Sequence, residues 1–274
     1  MKTIQIFLAS SIKEFERERE QLELFIRNVS DHFEAKYKIK IRIVLCENID
    51  PSYTAERKQE EYNNIIRECE MVFFIFFTKL GEFTYEEFLV AKKQFEEFGK
   101  PKIYTYFKNL SSSETMEQSL VNFMSWLDNS LGHYHTNFDH LDTIKLRMLL
   151  SIRTQELDFA EISIKNGQCC VDSIPVVSLN KVSEFYNNTS LQELLDSYKE
   201  QEAECKRLKS LYITNPQDKN ICSEYAQVCA KQETLSQEIQ KLQEYIFRTT
   251  LNICNLQVNG TITNRQKEAY QLFE

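Results

Sequence analysis

The stretch Met71–Ala91, MVFFIFFTKLGEFTYEEFLVA, constrains the fold more than any other part of the chain. Seven apolar residues, Met71–Phe77, lead into a polar turn at Thr78–Gly81. An uninterrupted apolar run of this length is typical of a strand buried on both faces of a parallel sheet. Ligands of such sheets bind beyond the carboxyl ends of the strands. We therefore expect the segment Thr84–Glu87, which follows the turn, to lie at the mouth of a pocket.

Strand and helix patterns alternate through about residue 150. The predicted strands are Thr3–Ala9, Ile39–Leu45, Met71–Phe77, Lys102–Phe107 and His133–Phe138. After the first strand a helix begins near Ser11, and the later predicted helices are Tyr53–Cys69, Thr84–Phe98, Met116–Leu131 and Leu141–Arg153. This order predicts an α/β fold, a doubly wound parallel sheet with right-handed crossovers. The chain has no G-x-G-x-x-G after its first strand and no P-loop, so the usual dinucleotide and nucleotide fingerprints are absent.

The first helix carries both a start signal and an amphipathic pattern. Ser11 and Glu14 have the spacing of a capping box, in which each side chain bonds a backbone N–H of the first turn. The charged run Lys13–Glu23 is typical of a solvated helix face. The opposite face is apolar and is expected to pack on the sheet; it consists of Phe15, Leu22, Phe25, Ile26 and Val29.

A different pattern begins after residue 155. Phe159–Leu179 alternates apolar and polar residues around Asn166–Gly167, the strongest short-range signal for a β-hairpin. Beyond it the chain is charged and helical, with a capping box at Ser190 and Glu193 and a second helix expected to be capped by Asn215–Pro216. The sequence thus predicts an α/β domain over 1–155, a β-hairpin connector over 156–185 and a helical, coiled-coil module over 186–274.

The two long helices are expected to form an antiparallel hairpin. Their apolar residues recur at heptad spacing, as in Ile221, Tyr225 and Val228. Either this seam packs only within the molecule, or its free part mediates self-association, because two helices alone seldom cover a full heptad seam. A last short helix is predicted over Thr263–Glu274.

Composition limits the classes of partner and compartment. The formal charge of −8 and the absence of a basic stripe argue against nucleic-acid binding. No segment approaches the ~20 apolar residues of a membrane span, and no signal peptide is apparent, so we expect a cytoplasmic protein. The 8 cysteines include no C-x-x-C pair, so we expect thiols and no metal site.

Four stretches together resemble the divergent bacterial branch of TIR-like domains. They cover about the first 150 residues, in the family's order, and they are IFLASSIKEFERER (Ile6–Arg19), LCENIDPS (Leu45–Ser52), FFIFFTKLGEFTYEEFLVA (Phe73–Ala91) and GKPKIYTYFK (Gly99–Lys108). The resemblance implies a TIR- and flavodoxin-like sheet. In this branch similar domains are often joined to helical repeats, and they are associated with antiviral defence and stress responses.

TIR domains act as NAD+ glycohydrolases or as adaptors. In the enzymes a glutamate follows a small residue by three positions and precedes an apolar residue. Thr84, Glu87 and Phe88 match that pattern, so the resemblance implies that Glu87 is catalytic, with NAD+ as substrate and no cofactor. Glu86 is expected to point towards solvent. The family's usual Trp-Cys pair is replaced by Phe83–Thr84, which affects the expected substrate preference.

The expected chemistry needs one carboxylate near the ribose. Cleavage of the nicotinamide–ribose bond passes through an oxocarbenium-like state, and nicotinamide is already a cationic leaving group. We predict that Ser10 and Ser11 donate to a phosphate or hydroxyl and that Glu47 lines the pocket, with Thr84 beside them. Phe83 or Tyr85 is expected to stack on a ring.

Each of these residues also has a purely structural interpretation. An acid near a helix start favours the helix dipole, and serines after a strand are common helix caps. Two functional alternatives also follow: a non-catalytic TIR-like scaffold assembled by the helices, or a hydrolase like the nucleoside deoxyribosyltransferases, with Glu87 as nucleophile. For both enzyme hypotheses, the NAD+ glycohydrolase and the deoxyribosyltransferase-like hydrolase, the resemblance implies activation by homo-oligomerisation through the TIR-like and helical regions.

Overall fold

A computed structural model describes residues 2–46, 58–156 and 160–258. The chain separates into two compact units, Met1–Lys145 and Leu146–Glu274. The division falls within one helix, Leu141–Glu156, rather than in a loop. Glu47, the Asp50–Pro51 turn and the predicted helix Thr263–Glu274 lie outside the described residues.

The first unit contains a five-stranded parallel sheet with the strand order β2-β1-β3-β4-β5. Its strands are β1 (Lys2–Ser10), β2 (Ile39–Val44), β3 (Met71–Phe76), β4 (Lys102–Lys108) and β5 (Thr136–Phe138). All neighbouring strands pair in parallel. The predicted α/β class with a doubly wound parallel sheet is therefore confirmed.

Helices connect successive strands of this sheet. They are α1 (Ile12–Tyr37), α2 (Lys58–Glu68), α3 (Glu82–Phe98) and α4 (Gln118–Trp126), the last continued by a π-helical turn (Leu127–Leu131), and α5 (Leu141–Glu156) follows β5. α3 begins two residues before the predicted start at Thr84, because Gly81 is its N-cap. Glu87 therefore lies in the second turn of α3, where the helix dipole has little effect.

β3 forms the centre of the core, as its apolar run predicts. All six of its residues are buried. Phe76 packs against Phe107 and Phe123, with ring centroids 5.1 and 5.3 Å apart. Phe73, whose side chain points to the other face, stacks on Tyr104 at 4.7 Å. Aromatic burial on both faces fixes β3 in the sheet and thus fixes the start of α3.

The predicted capping box of α1 is wrong. Ser11 is the N-cap residue, but its side chain makes no capping hydrogen bond. Glu14 instead accepts hydrogen bonds from the backbone N–H of Thr78, at 3.3 Å, and from its hydroxyl. The spacing of two residues cannot reveal this competitor, because Thr78 follows β3 and is distant in the sequence.

The second unit contains a three-stranded antiparallel sheet. Its strands are β6 (Ile162–Lys165), β7 (Gln168–Val171) and β8 (Ile174–Ser178). The predicted hairpin turn is confirmed, with positive φ at Asn166 (51°) and Gly167 (68°). A second two-residue turn, Asp172–Ser173, also has positive φ and adds β8, a strand that the hairpin signal did not predict.

Helices complete the second unit. They are α6 (Ser183–Tyr186), α7 (Thr189–Thr214) and α8 (Lys219–Val258). The predicted antiparallel pair of long helices is confirmed, with Tyr212 of α7 stacked on Tyr225 of α8 at 5.6 Å. Among the described helices of either unit, none is long and apolar enough to cross a membrane.

The predicted caps of these two helices are wrong. Asn188, rather than the Ser190–Glu193 pair, caps α7 by accepting from the backbone N–H of Leu191 at 2.9 Å. Asp218 caps α8, accepting from the N–H groups of Asn220 and Ile221 at 2.9 and 3.3 Å. Several polar residues precede each helix, and at α7 the capping residue is Asn188, whose backbone is extended.

Candidate functional site

The candidate site lies where the direction of strand addition reverses. The chain passes from β1 to β2 at one edge of the sheet and then returns to β3 on the other side of β1. In sheets of this order, a crevice opens beyond the carboxyl ends of β1 and β3, and ligands bind there. β1 ends at Ser10 and β3 at Phe76, so the segments after these two residues form the walls of the crevice.

Glu87 lies on the buried stripe of α3. The buried residues of this helix have the spacing i, i+3, i+4, i+7 and are Thr84, Glu87, Phe88 and Ala91. Only 6% of Glu87 is exposed, because its helical position faces the body of the unit. A carboxylate buried in this way requires polar or charged neighbours.

Helix α2 supplies two of these neighbours. Its buried residues include two amides one helical turn apart, Gln59 and Asn63. The Gln59 amide donates to Glu87 Oε1 at 3.4 Å, and the Asn63 amide donates to Glu86 Oε1 at 2.9 Å. The prediction that Glu86 points to solvent is therefore wrong in part: Glu86 is half-buried because α2 packs beside this face of α3.

Arg19 of α1 places a buried positive charge near Glu87. Its side chain is 1% exposed. It donates to the hydroxyl of Ser10 at 2.8 Å and to the carbonyls of Ser10 and Leu8 at 3.4 and 3.5 Å, and it lies 3.5 Å from Cys46 Sγ. The guanidinium therefore binds the carboxyl end of β1 and keeps the Ser10 side chain in one position.

The pKa of Glu87 reflects opposing influences. Burial raises it from its usual value of 4.5 to about 7. The hydrogen bond from Gln59 and the charge of Arg19 lower the pKa, whereas the Glu86 carboxylate raises it slightly. Burial also raises the pKa of the neighbouring Tyr62 phenol, with a further contribution from Glu87. Glu87 thus changes charge near neutral pH, as residues of active sites often do.

A second group of polar residues lies along the walls of the crevice. Glu14, after β1, is bonded to Thr78, after β3. The other oxygen of Glu14 is buried and has no hydrogen-bond partner within the described ranges. Lys108, at the end of β4, forms an ion pair of 3.0 Å with Glu18 and lies 4.9 Å above the ring of Phe77.

The structure brings together only some of the predicted site residues. Ser10 is 7% exposed and is connected to Glu87 through Arg19, and Thr84 is 7% exposed on the same stripe of α3 as Glu87. Ser11 is the N-cap of α1, and its placement shows no further role. Glu47 lies outside the residues that the structure describes.

The two aromatic candidates lie away from the buried stripe. Phe83 is 58% exposed, and Tyr85 packs edge-on against Phe123 at 5.7 Å. Tyr85 is two positions before Glu87 and therefore points to a different side of α3, whereas Phe83 is four positions before Glu87 and lies one helical turn from it on a neighbouring direction. The geometry therefore does not favour ring stacking by Tyr85 beside Glu87, and stacking by Phe83 stays a prediction.

Sequence reasoning missed three close neighbours of the site: Arg19, Gln59 and Cys46. Arg19 carried a usable signal. It is four residues after Phe15 and three before Leu22, so it interrupts the apolar stripe of α1 with a charge. The interpretation of the charged run Lys13–Glu23 as a solvated face is therefore wrong at Arg19, and it is wrong in part at Glu14, one oxygen of which is buried.

In the ranges 2–46, 58–156 and 160–258, no group of three or more His, Cys, Asp or Glu side chains is arranged to hold a metal ion.

Comparison with known proteins leaves the site without a named relative. No protein-family model matches the chain, and no curated protein matches it significantly.

Proposed function

We propose that this chain is a TIR-like NAD+ glycohydrolase, which cleaves the bond between nicotinamide and ribose with Glu87. One observation carries the proposal: a single buried carboxylate, bonded by Gln59 and influenced by Arg19, lies at the β1/β3 crevice. The order of the strands and the match of Thr84, Glu87 and Phe88 to the family's pattern support it.

The reaction requires little from the protein beyond one correctly positioned negative charge. The nicotinamide ring nitrogen is already positively charged, so it takes the bonding electron pair and leaves as neutral nicotinamide without an acid to protonate it. As the bond breaks, positive charge develops on the ribose, and an ionised Glu87 stabilises it in a site of low polarity. Arg19 and Gln59 favour the ionised form that this role requires.

Ser10 is suited to bind the substrate at the same place. Arg19 donates to its hydroxyl oxygen, so the Ser10 hydrogen is available to a ribose hydroxyl or a phosphate oxygen. The N-terminus of α1 directly follows and favours negative charge. The substrate would thus contact the end of β1 through its sugar or phosphate while its anomeric carbon faces Glu87.

We further propose that activity depends on self-association of the chain and serves a bacterial defence or stress response. The resemblance supports this view, and the structure contributes exposed apolar side chains on the helical hairpin. Ile213 and Tyr245 are 68% and 65% exposed, and Tyr212 is 38% exposed. Association of these surfaces between copies would raise the local concentration of the crevices.

The test is NAD+ consumption by concentrated, purified full-length protein, with nicotinamide release as the readout. We expect the wild type to release nicotinamide and Glu87→Gln to lose roughly a hundredfold or more in rate. Glu86→Gln is the matched control, because it removes the adjacent carboxylate and should retain most of the activity. Circular dichroism and thermal unfolding would verify that both variants are folded.

Other outcomes identify the competing functions. Absence of nicotinamide release at high protein concentration would contradict the proposal and favour a non-catalytic scaffold. Hydrolysis of nucleosides with a ribosyl or deoxyribosyl group trapped covalently on Glu87 would favour a deoxyribosyltransferase-like hydrolase. Equal loss of activity in Glu86→Gln and Glu87→Gln would remove the specific role of Glu87.

A further inference from the structure

Two cysteines face each other across the helical hairpin of the second unit. Cys205 of α7 and Cys229 of α8 have their sulfur atoms 3.4 Å apart. Both side chains are half-buried, so small molecules in solution can reach them. A disulfide has a sulfur–sulfur distance of about 2.05 Å, so closure requires the two sulfurs to approach by only about 1.4 Å.

The neighbouring contacts hold this register of the two helices. Tyr212 stacks on Tyr225 between the cysteine pair and the turn that joins α7 to α8. Tyr225 also precedes Cys229 by one helical turn and shares hydrogen bonds with both thiols. Few residues of this part of the hairpin are fully buried, with Leu208 the nearest at 2% exposure. The cysteine pair thus lies where packing alone holds the helices weakly.

We propose that Cys205 and Cys229 form a redox modification site, a dithiol that a peroxide converts to a disulfide joining α7 to α8. The thiolate of one cysteine attacks the peroxide, the O–O bond breaks, and a sulfenic acid and water form. The second thiol attacks that sulfur, the S–O bond breaks, and the hydroxyl leaves as a second water. Overall, two thiols and one hydrogen peroxide give one disulfide and two waters.

The protonation state of the pair determines how fast it reacts. The hydrogen bonds between the thiols raise the pKa of Cys205, while the nearby Lys209 lowers it. Thiols that are protonated at neutral pH react slowly, and the reaction accelerates as the thiolate fraction rises. The site is therefore expected to respond to sustained peroxide rather than to brief exposure.

The matched control is Cys222, which lies on the same helix with similar exposure. The Cys222 sulfur contacts the carbonyl oxygen of Pro216 at 3.6 Å. Within the described part of the chain, no contact between this sulfur and a second cysteine sulfur is found. Cys222 tests whether oxidation depends on the pair or merely on exposure. Cys222→Ser should leave the cross-link intact, whereas Cys205→Ser should abolish it.

The experiment treats the full-length protein with hydrogen peroxide at about pH 8.5, where more thiolate is present. Tryptic peptides are then mapped by mass spectrometry without reduction, since lysines between the two cysteines separate them into different peptides. We expect a peptide pair joined through Cys205 and Cys229, lighter by two hydrogens. Amide exchange of the adjoining turns of α7 and α8 should slow by roughly tenfold or more, and dithiothreitol should reverse the change.

Three results would overturn the proposal. They are recovery of Cys205 and Cys229 as separate sulfinic acids, oxidation of Cys222 while the pair remains as thiols, and formation of the cross-link without slower amide exchange. Cys205→Ser and Cys229→Ser remove only one partly exposed thiol each, and circular dichroism verifies their helical content. Because the readout involves neither Glu87 nor NAD+, the result is independent of the proposed enzymatic function.

Discussion

At the scale of single residues, Glu87 combines burial with neighbours that favour its charge. Its side chain is 6% exposed, and Gln59 and Arg19 oppose only part of the resulting pKa shift. A carboxyl group with a pKa of about 7 is partly protonated at neutral pH. The proposed reaction uses the ionised form, so the rate of NAD+ cleavage should rise with pH through about 7.

The same shift predicts a pH-dependent stability difference between the wild type and Glu87→Gln. The folded protein retains the Glu87 proton up to about pH 7, whereas the unfolded chain releases it near pH 4.5. This group's contribution therefore destabilises the wild type as pH rises from 4.5 to 7 and is constant above 7. Relative to the wild type, Glu87→Gln should gain about 3 kcal/mol between pH 4 and pH 8, an order-of-magnitude value.

Urea unfolding of both proteins across this pH range provides the measurement. Glu86→Gln is the control, because its carboxylate is half-buried and bonded to Asn63 instead. A stability difference between Glu87→Gln and the wild type that does not change with pH would show that Glu87 titrates normally.

Gln59 is predicted to hold Glu87 in its ionised form. Its amide donates to Glu87 Oε1 at 3.4 Å and is 5% exposed. Gln59→Ala removes this bond, so the pKa of Glu87 should rise further and the pH profile of NAD+ cleavage should move to higher pH. Titration of the Glu87 carboxyl carbon by NMR measures the pKa without relying on activity. Gln21→Ala, an exposed change on α1, should leave the pKa of Glu87 unaltered.

The sequence predicted the position of Glu87 but not its partners. The pattern of β3 followed by a polar turn located the carboxylate, because both signals are local. Arg19 of α1 and Gln59 of α2 act on it from other segments, and contacts between distant segments depend on packing. The correct pairing of Glu14 with Thr78 was missed for the same reason.

At the scale of elements, the hairpin of α7 and α8 depends on its cap. Asp218 accepts from two backbone N–H groups of the first turn of α8, whereas Asn215 and Pro216 lie outside the helix. Asp218→Ala should destabilise α8 by about 1 kcal/mol and increase amide exchange in its first turn. Asp218→Ser should restore most of this loss.

Pro216→Ala distinguishes this assignment from the predicted Asn215–Pro216 cap. Because Pro216 precedes α8, its replacement should change amide exchange in the first turn much less than Asp218→Ala does. If Pro216→Ala had the larger effect, the N-cap of α8 would be assigned incorrectly.

Strands and helices were predictable wherever one pattern covered a whole element. The apolar run of β3, the Asn166–Gly167 turn and the heptads of α8 are examples. β8 was not predicted, because its turn uses Asp172 and Ser173 at positive φ without a glycine to mark it. α3 begins before its predicted start at Thr84 because Gly81 is its N-cap, and glycine is a weaker N-cap signal in a sequence than Ser, Asp or Asn.

At the scale of the whole molecule, self-association is the property that the proposed function requires. Ile213, near the end of α7, is 68% exposed. Ile213→Asp should lower the association constant at least roughly tenfold if this surface joins two copies, because a charge would have to be buried. Sedimentation velocity over a range of concentrations, together with the concentration dependence of NAD+ consumption, gives the result.

Ser197→Asp provides the matched control for Ile213→Asp. Ser197 is exposed on the same helix and carries no apolar side chain. The Ser197→Asp variant introduces the same charge as Ile213→Asp and should leave association unchanged. If the two variants and the wild type sedimented alike, the end of α7 would not take part in association.

The class of the sheet followed from the alternation of strands and helices, but its strand order did not. Right-handed crossovers permit more than one order, and only the structure places β1 between β2 and β3. That order creates the crevice, so the location of the candidate site depended on a feature that the sequence patterns leave undetermined.

The bond between Glu14 and Thr78 has a consequence for ligand size. It joins the segment after β1 to the segment after β3, so it ties together the two rims between which a ligand must enter. Widening this gap for a bulky molecule requires breaking a charge-assisted hydrogen bond, at about 1.5–3 kcal/mol. We therefore expect wide ligands to bind roughly tenfold or more weakly than a slender, extended molecule, which enters without breaking this bond.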